Sequence, residues 1–93
     1  MRYVKVAWRH EHPDEPIWWY AEIDDEGYET RAVEVYRDGH CDFADAERST
    51  GTTILAEAPI PAVADIAEQD EFTPSVIDAE EFERVWQRAV AGK

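Results

Sequence analysis

The chain has 93 residues, 22 of them acidic and nine basic, for a formal net charge of -13. That balance argues against direct binding to nucleic acid or to an anionic membrane and favours a basic partner. A hydrophobic fraction of 44%, with four Trp, four Tyr and three Phe, is too high for a disordered chain, so the charge decorates a fold: one domain, residues 1–93.

The lone cysteine, Cys41, permits no internal disulfide, and nothing in the chain calls for an oxidising compartment. No apolar run approaches the roughly 18 residues of a membrane span, and Met1 opens no charged and apolar leader. The expected location is cytoplasmic.

Residues Arg2 to Trp8 alternate, with Val4, Val6 and Trp8 on one side and Tyr3, Lys5 and Ala7 on the other, which predicts a half-buried strand. Arg9 to Pro16 is polar and carries two prolines, as a loop does. A second period of two runs from Ile17 to Ile23, placing Ile17, Trp19, Ala21 and Ile23 opposite Trp18, Tyr20 and Glu22. Asp24 to Gly27 turns the chain into a third strand, in which Val33 and Val35 oppose Tyr28, Thr30, Ala32, Glu34 and Tyr36. Asp38-Gly39 between apolar runs signals a hairpin of the mirror-image turn type.

Grouping the aliphatic sides gives an expected core face of Val4, Val6, Trp8, Ile17, Trp19, Ile23, Val33, Val35 and Phe43. The opposite face then collects Tyr3, Trp18, Tyr20, Tyr28 and Tyr36 with Lys5, Glu22 and Glu34. Tyr and Trp are enriched among residues that carry interface energy, although cross-strand aromatic pairs also stabilise an exposed sheet by themselves. The candidate partner-binding set is Trp18, Tyr20, Glu22, Asp24, Asp25, Tyr28, Glu34 and Tyr36.

Ile54 to Ala56 is a candidate fourth or fifth strand, which would carry the sheet over about residues 2–56. Ile60, Val63 and Ile66 recur at three-residue spacing behind Pro61, predicting a helix over about 61–68, and Gln69 to Pro74 reads as a loop. Phe82, Val85, Trp86, Ala89 and Val90 form one helical stripe over about 78–91, with Asp78 and Glu81 at capping-box spacing. The expected architecture is α+β: an N-terminal antiparallel meander of three to five strands, with two C-terminal helices packed on one face.

No catalytic constellation emerges, and the expected cofactor is none. His10 and His12 project to the same side of an extended chain but lack a partner cluster at ligand spacing. His40 and Cys41 are strand neighbours and point apart, so the imidazole is badly placed to take the thiol proton. Asp24 to Gly27 lacks the alternating carboxylates of a calcium loop, and the run Ser49 to Thr53 lacks the lysine and following helix of a phosphate cradle. Between Ser49 and Glu83 there are nine acids and no Lys or Arg, a charge pattern that suits either solubility or a basic partner.

The stretches Tyr3 to Trp8 (YVKVAW), Asp14 to Pro16 (DEP), Ile23 to Gly27 (IDDEG), Arg31 to Gly39 (RAVEVYRDG), Glu57 to Pro61 (EAPIP), Glu71 to Pro74 (EFTP) and Glu81 to Trp86 (EFERVW) carry a resemblance. They resemble a family of small acidic bacterial proteins, common in actinobacteria, classed as a domain of unknown function. The resemblance spans nearly the whole chain, rests on overall pattern and implies no catalytic residues. Small acidic proteins of this sort often look like immunity proteins. The expectation is therefore a non-enzymatic, protein-binding module that neutralises a basic partner such as a nuclease toxin. Three alternatives stand beside it: a small-ligand or metal-binding protein or enzyme using His10, His12, His40 or the acidic loop, a nucleic-acid mimic, and a structural or regulatory subunit of a larger assembly.

Overall fold

The computed structural model describes residues 1–51 and 53–92. Thr52, part of the Ser/Thr run, and Lys93 lie outside the described residues. Four strands come first, β1 (Arg2–Trp8), β2 (Trp18–Ile23), β3 (Glu29–Val35) and β4 (Cys41–Ala44). A short helix α1 (Val63–Ala67), a fifth strand β5 (Phe72–Ile77) and a long helix α2 (Ala79–Ala91) follow. The sheet is antiparallel throughout, in the order β4-β3-β2-β1-β5. The fold is α+β, as the alternating and helical patterns predict.

The two hairpin turns share one geometry. Gly27 N–H donates to Asp24 O at 3.0 Å and Asp24 N–H to Tyr28 O at 2.9 Å; Gly39 N–H donates to Tyr36 O at 2.9 Å and Tyr36 N–H to His40 O at 3.0 Å. Only the glycine has positive φ, 90° at Gly27 and 92° at Gly39. Each is thus a three-residue loop closed by a left-handed glycine, and the expected mirror-image turn at Asp38-Gly39 is corrected accordingly.

Two stretches differ from their predicted structure. Phe72 to Ile77 is a strand on the far side of β1, although Gln69 to Pro74 reads as a loop. Pro74 tolerates this because β5 is an edge strand with only β1 as neighbour. Ile54 to Ala56 is not a strand; it crosses a sheet face, with Ile54 exposed.

The larger correction concerns the faces. Strand pairing sets Val35 opposite Trp18, Val33 opposite Tyr20, and Phe43 opposite Val33. Val33, Val35 and Phe43 therefore share a face with Tyr3, Trp18 and Tyr20, and this face is the one α2 covers through Phe82, Val85, Trp86 and Ala89. Val4, Ala21 and Ile23 form a second core on the opposite face, packed with Trp19, Ile60 and Val63. The two helices accordingly sit on opposite faces instead of sharing one, because both sides of the sheet are apolar. With both sides buried, alternation within a strand fixes its own two sides but not their phase against the next strand.

A bulge interrupts the pairing of β2 with β3. Glu22 pairs with Arg31 while Ile23 pairs with Glu29, so Thr30 is the extra residue. The bulge sends Arg31 to the α2 face and Glu29 to the other, where unbroken alternation would have left them together. Thr30 Oγ1 donates to Glu22 Oε1 at 2.8 Å.

At its start α2 is capped by Asp78, whose Oδ1 accepts from Glu81 N–H at 2.8 Å. Glu81 turns instead to Lys5, at 3.1 Å, so the reciprocal half of the capping box is not made.

Candidate functional site

On the face opposite α2 the chain from Thr53 to Gln69 arches over the sheet and leaves a cleft of about 390 Å³. Its sheet side is Val6 and Trp8 from β1, Trp18 and Trp19 from β2, Glu34 from β3, and Phe72 from β5. Its roof is Ile60, Pro61, Ile66 and Gln69, with Glu15 and Pro16 at the mouth. The volume lies in the range that takes small organic ligands or single side chains.

The roof is tied down by polar contacts at few points. Ile60 N–H donates to Gly27 O at 2.7 Å, and Arg2 Nη2 reaches Ile60 O at 3.3 Å. Ala56 N–H donates to Glu29 Oε1 at 2.9 Å, and Thr53 Oγ1 donates to Glu34 Oε1. None of the residues of α1 is fully buried. Such a segment is among those that open at low free-energy cost.

Two aromatic walls are well fixed. The Trp8 and Phe72 ring centres are 6.0 Å apart, and Trp8 packs on His10 at 4.2 Å. His10 is itself held at both nitrogens: Nε2 lies 2.7 Å from Pro16 O, and Nδ1 accepts from His12 N–H at 3.0 Å. Both ring nitrogens are thereby engaged, which fixes the imidazole as a support for the loop. Trp8 Nε1 is buried and hydrogen-bonds nothing among the described residues.

Glu29, beside the roof, is only 6% exposed. Burial pushes its carboxyl up to about 7, against the opposing pull of the Ala56 N–H and the Trp19 side chain, with Glu34 adding to the rise. Its Oε2 has no partner among the described residues. The unfolded chain loses this proton near 4.5 and the folded chain near 7, so stability falls as pH rises across that window. Between about pH 5.5 and about pH 8 the loss from this group is about 2 kcal/mol. Glu29→Gln keeps an acceptor for Ala56 and should remove that part of the slope, which urea denaturation of both proteins at the two pH values measures. An unchanged slope in the variant would refute the assignment.

The structure divides the sequence-derived candidates among four places. Trp18 and Tyr20 lie half-buried beside α2, with Lys5 5.1 Å from the Trp18 ring, and Glu22 is buried in an ion pair under that helix. Asp24, Asp25 and Tyr28 belong to the first turn, where Asp24 Oδ1 accepts from Glu26 and Tyr28 N–H and Asp25 pairs with the Met1 amino group at 3.0 Å. Glu34 is on the opposite face, in the cleft, and Tyr36 is buried with its ring stacked on His40 at 4.2 Å. The expected continuous aromatic outer face is therefore not assembled, because α2 lies where it would have been.

Trp8, Trp19, Phe72, Glu15 and Glu29 are the site residues that sequence reasoning placed elsewhere or passed over. The available signal was the alternation of Phe72, Pro74 and Val76, masked by the proline. His40 has Nδ1 2.5 Å from Asp38 Oδ1, and Cys41 is buried. Among the described residues no three His, Cys, Asp or Glu side chains gather as a metal site, and no helix is long and apolar enough to cross a membrane.

No curated protein and no solved structure matches the chain. A family described as a domain of unknown function (DUF6881) matches residues 2–91, and the chain, whose fold and cleft fall within that span, belongs to it.

Proposed function

We propose that this domain is a non-enzymatic binding module for a basic protein partner, of the immunity-inhibitor kind, working in the bacterial cytoplasm. The observation that carries the reading is the distribution of charge around the cleft. Glu57, Asp65, Glu68, Asp70 and Glu71, all exposed, belong to the segment that roofs and borders it, and no Lys or Arg occurs between Ser49 and Glu83. Carboxylates concentrated on one segment repel one another, and a cationic surface laid against them relieves that repulsion and speeds encounter.

The test is capture of host proteins at low and at moderate salt by the wild-type domain and by a variant carrying Asp65→Lys, Glu68→Lys, Asp70→Lys and Glu71→Lys. These side chains are exposed, so the fold should tolerate the change. A basic protein held by the wild type, weakened by salt and lost by the variant is the expected result. Equal capture by both, or capture of no basic protein, would overturn the proposal.

A further inference from the structure

We infer that the cleft between the sheet and the Thr53–Gln69 arch receives a long cationic side chain, lysine or arginine, presented by the partner. The inference rests on the binding-module reading and adds the chemistry of the contact. A lysine or arginine side chain has an aliphatic stem ending in a charge, and the cleft offers both halves of its complement. Val6, Ile60 and Ile66 supply apolar surface for the stem, and Trp8, Trp19 and Phe72 supply aromatic lining of the kind that attracts a cation.

Glu34 and Glu15 supply the countercharge. Glu34 stands on the sheet inside the cleft, positioned by the Thr53 hydroxyl, and Glu15 stands at the mouth on the proline-rich loop. Two cations of the chain that reach the arch are engaged on backbone carbonyls: Arg2 donates to Ile60 O and Arg9 to Asp70 O. An anionic ligand would face Glu34 and Glu15 with no Lys or Arg among the described residues that line the cleft. A neutral apolar ligand would desolvate the Glu34 carboxylate and bring it no countercharge. A cation on an aliphatic stem meets both constraints.

The test is a titration of the folded domain with acetylated and amidated pentapeptides Gly-Gly-Lys-Gly-Gly and Gly-Gly-Arg-Gly-Gly, with norleucine replacing the central residue as the uncharged control. The indole N–H resonances of Trp8 and Trp19 report on the cleft, and that of Trp86, on the buried side of α2, reports on the rest of the fold. Saturable shifts at Trp8 and Trp19 with Trp86 still, and about tenfold weaker binding of the norleucine peptide, are expected. Glu34→Gln should weaken both cationic peptides and leave norleucine unchanged, and Ile66→Trp, which fills the cleft from α1, should abolish all three.

Equal binding of norleucine and lysine, or no shift at Trp8 and Trp19, would overturn the assignment. The two proposals separate cleanly. Absent cleft shifts with salt-sensitive partner capture intact defeat the cleft assignment alone, whereas saturable cleft shifts with no basic protein captured defeat the protein-partner reading alone.

Discussion

Replacing Arg31 with alanine should destabilise the domain by about 3 to 5 kcal/mol, the usual cost of leaving one partner of a buried ion pair uncompensated. The guanidinium donates through Nε to Glu22 Oε1 at 2.9 Å and through Nη2 to Glu22 Oε2 at 2.6 Å, with Glu83 Oε1 as a third acceptor. It also lies 4.9 Å from the Phe82 ring centre and 5.0 Å from that of Trp86, so it fills space between sheet and helix as well as carrying charge. Glu22 is 8% exposed and would keep Thr30 and Tyr3 as hydrogen-bond partners but no countercharge.

Titration should follow the same logic. The hydrogen bond from Arg31 holds the Glu22 carboxyl below its ordinary value, outweighing burial, and Glu22 in turn raises the guanidinium. Glu22 therefore contributes stability that is present above the ordinary carboxylate value and is lost as pH falls through its lower folded value. Glu29 acts in the opposite sense, so the two buried carboxylates tilt the pH profile in different windows. Urea denaturation of the Arg31→Ala single variant and of the Arg31→Met, Glu22→Gln double variant separates charge from packing. The double variant, with neither charge, should recover most of the loss. If it is as unstable as the single variant, uncompensated charge is not the cause.

Phe82→Ala should cost about 3 to 5 kcal/mol, a large share of the roughly 5 to 15 kcal/mol that holds a domain of this size. Phe82 is fully buried where α2 crosses the sheet, 5.4 Å from the Tyr3 ring and 6.4 Å from that of Trp86. Alanine removes its transfer energy and leaves a cavity under rings that are themselves pinned, since Trp86 also meets Phe43 edge-on at 5.3 Å. Because Arg31 rests on the Phe82 ring, the two substitutions share contacts and their costs should not add. Thermal and urea unfolding of the two single variants and the double provide the cycle. A loss below about 1.5 kcal/mol for Phe82→Ala would mean that this helix is not anchored as described.

Much of the fold could be read before any pairing was known. The stripe of Phe82, Val85, Trp86 and Ala89 has only one helical solution, and the cap at Asp78 and the stop at Gly92 are local chemistry. The turns at Asp24–Gly27 and Tyr36–His40 follow from glycine's access to positive φ, and the periods of two in β1, β2 and β3 follow from the strand repeat. All of these depend on residues within a few positions of one another.

The candidate site was less legible, for a definite reason. The strands carry apolar residues on both sides: Val4 and Val6 against Tyr3, and Trp19 and Ile23 against Trp18 and Tyr20. Each strand therefore has two plausible core sides, and grouping them by aliphatic character joined Val33 and Val35 to the wrong neighbours. The insertion of Thr30 and the docking of β5 beyond β1 added two further choices that local pattern does not express.

What the chain determined by itself is its acidic surface, the identity and ends of α2, the glycine turns and the strand periodicity, because each is set by composition or by short-range sterics. Tertiary structure alone decided which face α2 covers, that Glu22 finds Arg31 while Glu29 Oε2 is left without a partner among the described residues, and that Trp8, Trp19, Phe72 and Glu34 line one cleft. Those outcomes depend on the register of one strand against the next and on which side a distant segment folds over. A sheet buried on both faces can only settle them when all its layers pack at once.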